Sequence, residues 1–272
     1  MESIPPAPYL PTHRPDVFES TPLARAGWYE DGQHGGAVAA LLGRAMDRVP
    51  TLAPMEMARL TVELFRVVPV TRLHVATRVI REGKRIQAVE ASLTDSDDLE
   101  LARATGLKLR RTEVTLPDEV GPTPAPRPLP TEIPAPDMKK WGVGAPGRIL
   151  YHRQAVEVRE IDGGFFKPGP GAMWLRMTRP LVEGEPISPL ERAIAVGDFV
   201  NGLSRLSNSL QMAFMNADLT IHLSRYPVGE WVGVRARSEW ESIGRGVAGG
   251  DLFDPEGVIG RSTQTLFIDR RS

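Results

Sequence analysis

The 272-residue chain contains no cysteine. Disulfides, thiolate nucleophiles and cysteine-ligated metals are therefore excluded. Charge of neither sign is in excess: 33 Lys and Arg stand against 34 Asp and Glu, a formal net charge of −1. That balance gives no reason to expect nucleic acid or an anionic membrane as partner. No apolar run approaches the roughly 18 residues of a membrane span. The first residues, MESIPPAPYLPTHRPD, lack a basic stretch followed by an apolar one, so no secretory leader is expected there and a cytoplasmic location is. A G-x-S-x-G elbow is missing, and the serines in GLSRLSNS have no histidine nearby, which argues against a serine nucleophile. The five histidines, His13, His34, His74, His152 and His222, show no metal-ligand spacing. GVGAPG and PGPGA are Gly/Pro turns without the strand, loop and helix of a phosphate cradle. Neither a metal nor a cofactor is expected.

What is present reads as an ordinary globular chain, 41% hydrophobic and 25% charged, long enough for one large domain or two small ones. Residues 117–136, PDEVGPTPAPRPLPTEIPAP, hold eight prolines in twenty positions and predict an extended, semi-rigid connector. The segments on either side resemble each other. ARLTVELFR at 58–66 aligns with ADLTIHLSR at 217–225 at an offset of 159, and Arg103 aligns with Arg261 at 158. A nearly constant offset argues for duplication of one unit. Domain limits are accordingly expected at 1–116 and 148–272, with 117–147 between them.

Each unit predicts an extended entry, one helix and a set of antiparallel strands, an α+β arrangement. The helices are HGGAVAALLGRAM and PLERAIAVGDFVNGLSRL; the strands are 57–66, 73–82, 85–95 and 99–111, then 215–225, 231–240, 243–252 and 257–270. Leu60, Val62 and Leu64 alternate with Arg59, Thr61 and Glu63, so one sheet face is apolar. The first helix is small or apolar nearly all round, which predicts burial on both sides. On the second, Asp198 lies apart from the Val196, Phe199, Val200 and Leu203 stripe, among small residues that would admit another element. A seam against the other half, with Asp198 in it, is the expectation.

Assembled, these segments resemble the TesB-like acyl-CoA thioesterases of the thioesterase superfamily. GQHGGAVAALLGRAM is similar to their helix start, RLTVELFRVVPV to the strand after it, and AVGDFVNG, MNADLTIHLSRYPVGEW and GRSTQTLFIDRR to their second unit. The resemblance implies a double hotdog fold: two tandem repeats, each a curved antiparallel sheet wrapped around one long helix. It also implies an Asp on the helix, a Thr or Ser opening the next strand and a Gln on the last strand. Those positions are Asp198, Asn216 and Gln264, so Asn216 departs from the pattern.

Thioester hydrolysis needs an activated water and a stabilised oxyanion. A carboxylate on the dry side of a helix can orient the water and accept its proton. Gln264 shares its strand face with Leu266 and Ile268 and would point at the helix. Free N–H groups at Gly35 and Gly36, next to His34, would hold the oxyanion at the start of the first helix. Asn216 also reads as a turn residue, and strand parity with Asp218 turns it away from the helix unless a bulge intervenes. His34 also reads as a cap neighbour, and His222 as structural. Hydration or dehydration of an acyl thioester is a second reading, which would want a histidine paired with an acid on the second helix. Non-catalytic acyl-thioester binding is a third. The expected partner is acyl-CoA, and sheet edges with an apolar first helix lead to an expectation of homo-oligomers in fatty acid metabolism.

Overall fold

The computed structural model describes residues 3–27, 29–134, 147–165, 167–207 and 211–270. The last part of the expected connector, and the 142–147 turn apart from Gly147, lie outside them.

The first half runs β1 (Tyr9–Pro11), β2 (Val17–Ser20), α1 (Gly35–Asp47), β3 (Met55–Leu64), β4 (Arg72–Arg81), β5 (Ile86–Thr94) and β6 (Glu100–Arg110). The second runs α2 (Tyr151–Gln154), β7 (Val156–Asp162), β8 (Gly171–Met177), α3 (Pro189–Gly197), α4 (Val200–Leu203), β9 (Met212–Asn216), β10 (Asp218–Leu223), β11 (Trp231–Glu241), β12 (Arg245–Asp254) and β13 (Gly257–Arg270). The thirteen strands of the described residues form one antiparallel sheet in the order β1-β2-β4-β5-β6-β3-β10-β13-β12-β11-β8-β7, with β9 paired to β13.

The duplication seen in the sequence has a geometric meaning. β3 pairs with β10 in a register that sets Leu60 against Ile221, Thr61 against Thr220 and Val62 against Leu219. Thr61 and Thr220 are also the pair joined by the 159-residue offset. Each therefore faces its own counterpart across a local twofold axis, and the Thr220 hydroxyl donates to Thr61 Oγ1 at 3.2 Å. Two half-sheets are zipped into one at this point.

Both sheet halves turn their apolar faces onto the helices. Leu60 and Val62 of β3, Val89, Ala91 and Leu93 of β5, and Leu219 and Ile221 of β10 are all buried. Residues Gly36 to Gly43 of α1 are buried without exception, as expected of a helix covered on both sides. Each fully buried Leu or Val contributes about 1.5–3 kcal/mol over its exposed state. α1 and α3 cross tightly: a Cβ on Gly36 would lie 2.8 Å from the Ala195 carbonyl oxygen, and one on Gly43 would lie 2.3 Å from Ile194 Cδ1. At the far end of the crossing Arg44 donates to Glu185 at 2.8 and 2.5 Å, joining the halves.

Two expectations about these elements need correction. The second helix is not one long helix: it stops at Gly197 and resumes as the short α4. The cause is competition for carbonyls. Ser262 of β13 donates to the Gly197 carbonyl at 2.7 Å, and Gln264 donates to the Asp198 carbonyl at 3.2 Å. Oxygens that would accept from the next turn are taken by the sheet. Likewise the strand expected at 215–225 is two strands, β9 and β10, parted at Ala217.

Residues 117–134 of the proline-rich segment contain no strand and one short 3-10 turn at Pro130–Glu132, and they are tied to the second half. Thr123 accepts from the Val258 N–H at 2.9 Å, and Pro128 accepts from the buried Trp174 indole at 3.0 Å. Gly257, at φ +144°, admits this strap: a Cβ there would lie 2.4 Å from the Thr123 carbonyl oxygen.

Candidate active site

Asp198 caps α3 at the helix break and is buried, 8% exposed. Its carboxylate lies in the seam between the halves, against the start of α1. Oδ1 accepts from Gln264 Nε2 at 2.8 Å and from Asn216 Nδ2 at 2.9 Å. Oδ2 accepts from the Gly36 N–H at 2.6 Å and lies 3.0 Å from His34 Nδ1. A carboxylate offers about four lone-pair positions. Three of them are met by hydrogen bonds, one from the first half and two from the second.

The structure thus brings together Asp198, Gln264, Asn216, His34, Gly35 and Gly36. Asn216 reaches the cluster against its expected parity. β9 sets Asn216 opposite Leu266, while β10 sets Thr220 opposite Thr263. Four steps along one strand match three along the other, so one extra residue, a bulge, reverses the side on which Asn216 projects. Gly36 also differs from its expected role, because its N–H is spent on Asp198. The Gly35 N–H has no acceptor among the described residues and remains the free donor of the helix start. Gly35 must lack a side chain, since a Cβ would lie 2.9 and 3.0 Å from the Asp198 oxygens. Gln264 Oε1 is buried with no donor, an acceptor left open beside the carboxylate.

The sequence reading gave no site role to the residues that wall this cluster. Tyr151 and Phe199 each place a ring 5.0 Å from the His34 ring, and His152 lies 6.3 Å away. Burial, then the charges of Asp198 and Glu191, raises the Tyr151 hydroxyl above its ordinary pKa. Burial, then His34 and Arg153 nearby, lowers His152 to about 3, so it is neutral. The one available signal was a Tyr-His pair directly before a strand, which by itself points nowhere.

The local twofold generates a second position that carries no such site. His34 and Ser188 cap α1 and α3, and ten residues beyond them stand Arg44 and Asp198. By the strand offsets, Asn216 corresponds to Met57 and Gln264 to Gly106. Arg44 is bound to Glu185, and a Cβ on Gly106 would lie 2.8 Å from Met57 Sδ. The duplicate position has become an ion pair over a methionine plug. Among the described residues no group of His, Asp and Glu could hold a metal, and no helix is long and apolar enough to cross a membrane.

Two fused α+β repeats whose sheets wrap buried helices are the architecture of a double hotdog protein. The acyl-CoA thioesterase N-terminal domain matches residues 24–108 and the acyl-CoA thioesterase C-terminal domain matches residues 122–268. The chain belongs to this acyl-CoA thioesterase family. Its fold is similar to that of a hot dog fold protein of unknown function from Alicyclobacillus acidocaldarius, at 17% identity and TM-score 0.72 over 94% of this chain and 93% of that one. It is similar too to an acyl-CoA thioesterase II from Mycobacterium marinum, at 12% and 0.66 over 96% and 95%. A TesB protein from Mycobacterium avium subs paratuberculosis stands at 16% and 0.65 over 93% and 92%. No curated protein matches the chain.

Proposed function

We propose that this chain hydrolyses an acyl-CoA thioester to the free acid and coenzyme A at the Asp198 site. The observation that carries the reading is the Asp198 carboxylate, held by donors from both halves at the first turn of α1. Gln264 Oε1 offers a buried acceptor for the attacking water. The Gly35 N–H, with the positive end of α1 behind it, meets the charge that develops on the thioester oxygen. One such donor is worth about 3 kcal/mol of barrier, or roughly a hundredfold in rate. Asn216 stands where the family resemblance implies a hydroxyl, and its amide makes the contact to Asp198 that a hydroxyl would make.

The test is free-thiol release from short, long and aromatic acyl-CoAs by wild type and Asp198→Ala. Turnover that collapses in the variant while the fold persists supports the reading. Equal rates remove Asp198 from the reaction. A second reading, hydration or dehydration of an acyl thioester, gains support from one contact. The histidine it requires is present as His34, contributed by the first half and 3.0 Å from Asp198. Consumption of an enoyl-CoA without thiol release would favour it.

A further inference from the structure

We infer that the site recognises a β-hydroxyacyl thioester and that Asn201 Oδ1 is the acceptor that reads its hydroxyl. The inference rests on the reading of the site as an acyl-CoA hydrolase and deepens it by naming the substrate class.

Asp198, Asn201 and Ser204 stand at every third position through the break between α3 and α4. Helical turns continue there, with Phe199 donating to Val196, Leu203 to Phe199 and Ser204 to Val200 along the backbone. The three side chains therefore share one side of the helix, and all three are buried. Each meets a different strand of the second half. Asp198 accepts from Gln264 of β13, and Asn201 Nδ2 donates to the Phe214 carbonyl of β9 at 3.2 Å. Ser204 and Ser238 of β11 share a hydrogen bond at 2.6 Å. A polar seam thus leads from the Asp198 carboxylate beneath α4.

The two ends of the seam are satisfied, but its middle is not. Asn201 is 7% exposed, and its Oδ1 has no hydrogen-bond donor among the described residues. The amide cannot be turned round to cure this. The Phe214 carbonyl only accepts, so the amide nitrogen must face it and the oxygen must face elsewhere. Trp240 Nε1 is likewise buried without an acceptor, and the Trp240 ring packs 5.2 Å from that of Phe214. The open acceptor and the open donor therefore flank the same residue. Buried polar atoms without partners are uncommon and call for a group that completes them. A carboxylate would bring no hydrogen to Asn201, and an ammonium no lone pair to Trp240. A hydroxyl supplies both. Asn201 lies three residues, about 4.5 Å, along the helix from Asp198. A thioester carbonyl beside Asp198 and the Gly35 N–H then presents its β-carbon at Asn201, whereas a hydroxyl far along the chain would overshoot it.

The test compares thiol release by the full chain from both enantiomers of β-hydroxybutyryl-CoA and from butyryl-CoA. For one enantiomer kcat/KM should exceed that of butyryl-CoA by about 10- to 100-fold, since the plain chain leaves a buried acceptor unpaired. Asn201→Leu keeps the volume, removes the amide oxygen and should bring this ratio close to one. General damage to the fold would lower both rates and leave the ratio where it was, and the wild-type ratio stands whether or not the variant folds. A wild-type ratio below about threefold for both enantiomers overturns the inference and leaves Asn201 Oδ1 to an ordered water only. A ratio that survives Asn201→Leu overturns it as well. If wild type releases no thiol from any acyl-CoA, the hydrolase reading fails by itself. Calorimetry then decides the hydroxyl preference independently, with ketone analogues in which a methylene parts the sulfur from the carbonyl, made with and without the hydroxyl.

Discussion

Gly35→Ala separates the geometry of the carboxylate from the stability of the fold. The added methyl would lie 2.9 Å from Asp198 Oδ1, 3.0 Å from Oδ2 and 3.2 Å from Cγ, where ordinary contact begins at 3.4 Å. The carboxylate must therefore retreat by about 0.5 Å. It can do so only by stretching its bonds to the Gly36 N–H at 2.6 Å and to Gln264 and Asn216 at 2.8 and 2.9 Å. Weakening one charge-assisted bond costs about 1.5–3 kcal/mol. Against this, alanine is favoured over glycine in a helix by about 1 kcal/mol. Net stability should fall by no more than about 2 kcal/mol, a shift readable in a urea midpoint. Activity has no such compensation: a misplacement of about 1 Å at a reacting centre costs roughly a hundredfold, so half of that should cost about tenfold. Thiol release measured beside urea unfolding would thus show a folded protein with kcat lowered about tenfold. A Gly35→Ala variant with wild-type kcat would refute the claim that the carboxylate position governs the reaction.

Three further outcomes follow from named contacts. Asn216→Leu removes one of the two amides on Asp198 Oδ1 and should lower kcat by about 10- to 100-fold with little change in unfolding midpoint. Asp254 is fully buried and accepts from Arg225, Val228, Glu256 and Gly257. Asp254→Ala should cost about 2–4 kcal/mol in chemical denaturation, since it strands a cation and three N–H groups. His152 is depressed to about 3 in the fold from an ordinary 6.5, first by burial. The unfolded chain therefore binds the extra proton, and its contribution is full above pH 6.5 and lost as pH falls toward 3. The slope approaches about 1.4 kcal/mol per pH unit, and His152→Gln should flatten it.

The duplication, the strands after each helix other than 215–225 and the apolar first helix were legible in the primary structure, whereas β1, β2, β7 and β8 were read only as extended entries. The legible features depend on local periodicity and on an offset between matching residues. Asp198 was also legible as an anomaly, a carboxylate among small residues where neither a core nor a solvated face would place it. Gln264 was named by the family resemblance, and only its direction followed from the parity of its own strand. Apart from that naming, these inferences use only neighbours along the chain.

What the sequence determined by itself, then, was the pair of repeats and a carboxylate that did not belong to either helix face. Tertiary structure alone decided how that carboxylate is used. Ser262 and Gln264 interrupt the helix by taking its carbonyls across 65 and 66 residues. A single bulge turns Asn216 inward, and one inserted residue leaves no periodic trace in the sequence. His34 meets Asp198 from a helix 164 positions away, because the local twofold at Thr61 and Thr220 lays the start of one helix against the end of the other. The same axis explains why Arg44 occupies the duplicate position without forming a second site. Such pairings are set by packing between distant segments, and no local pattern encodes them.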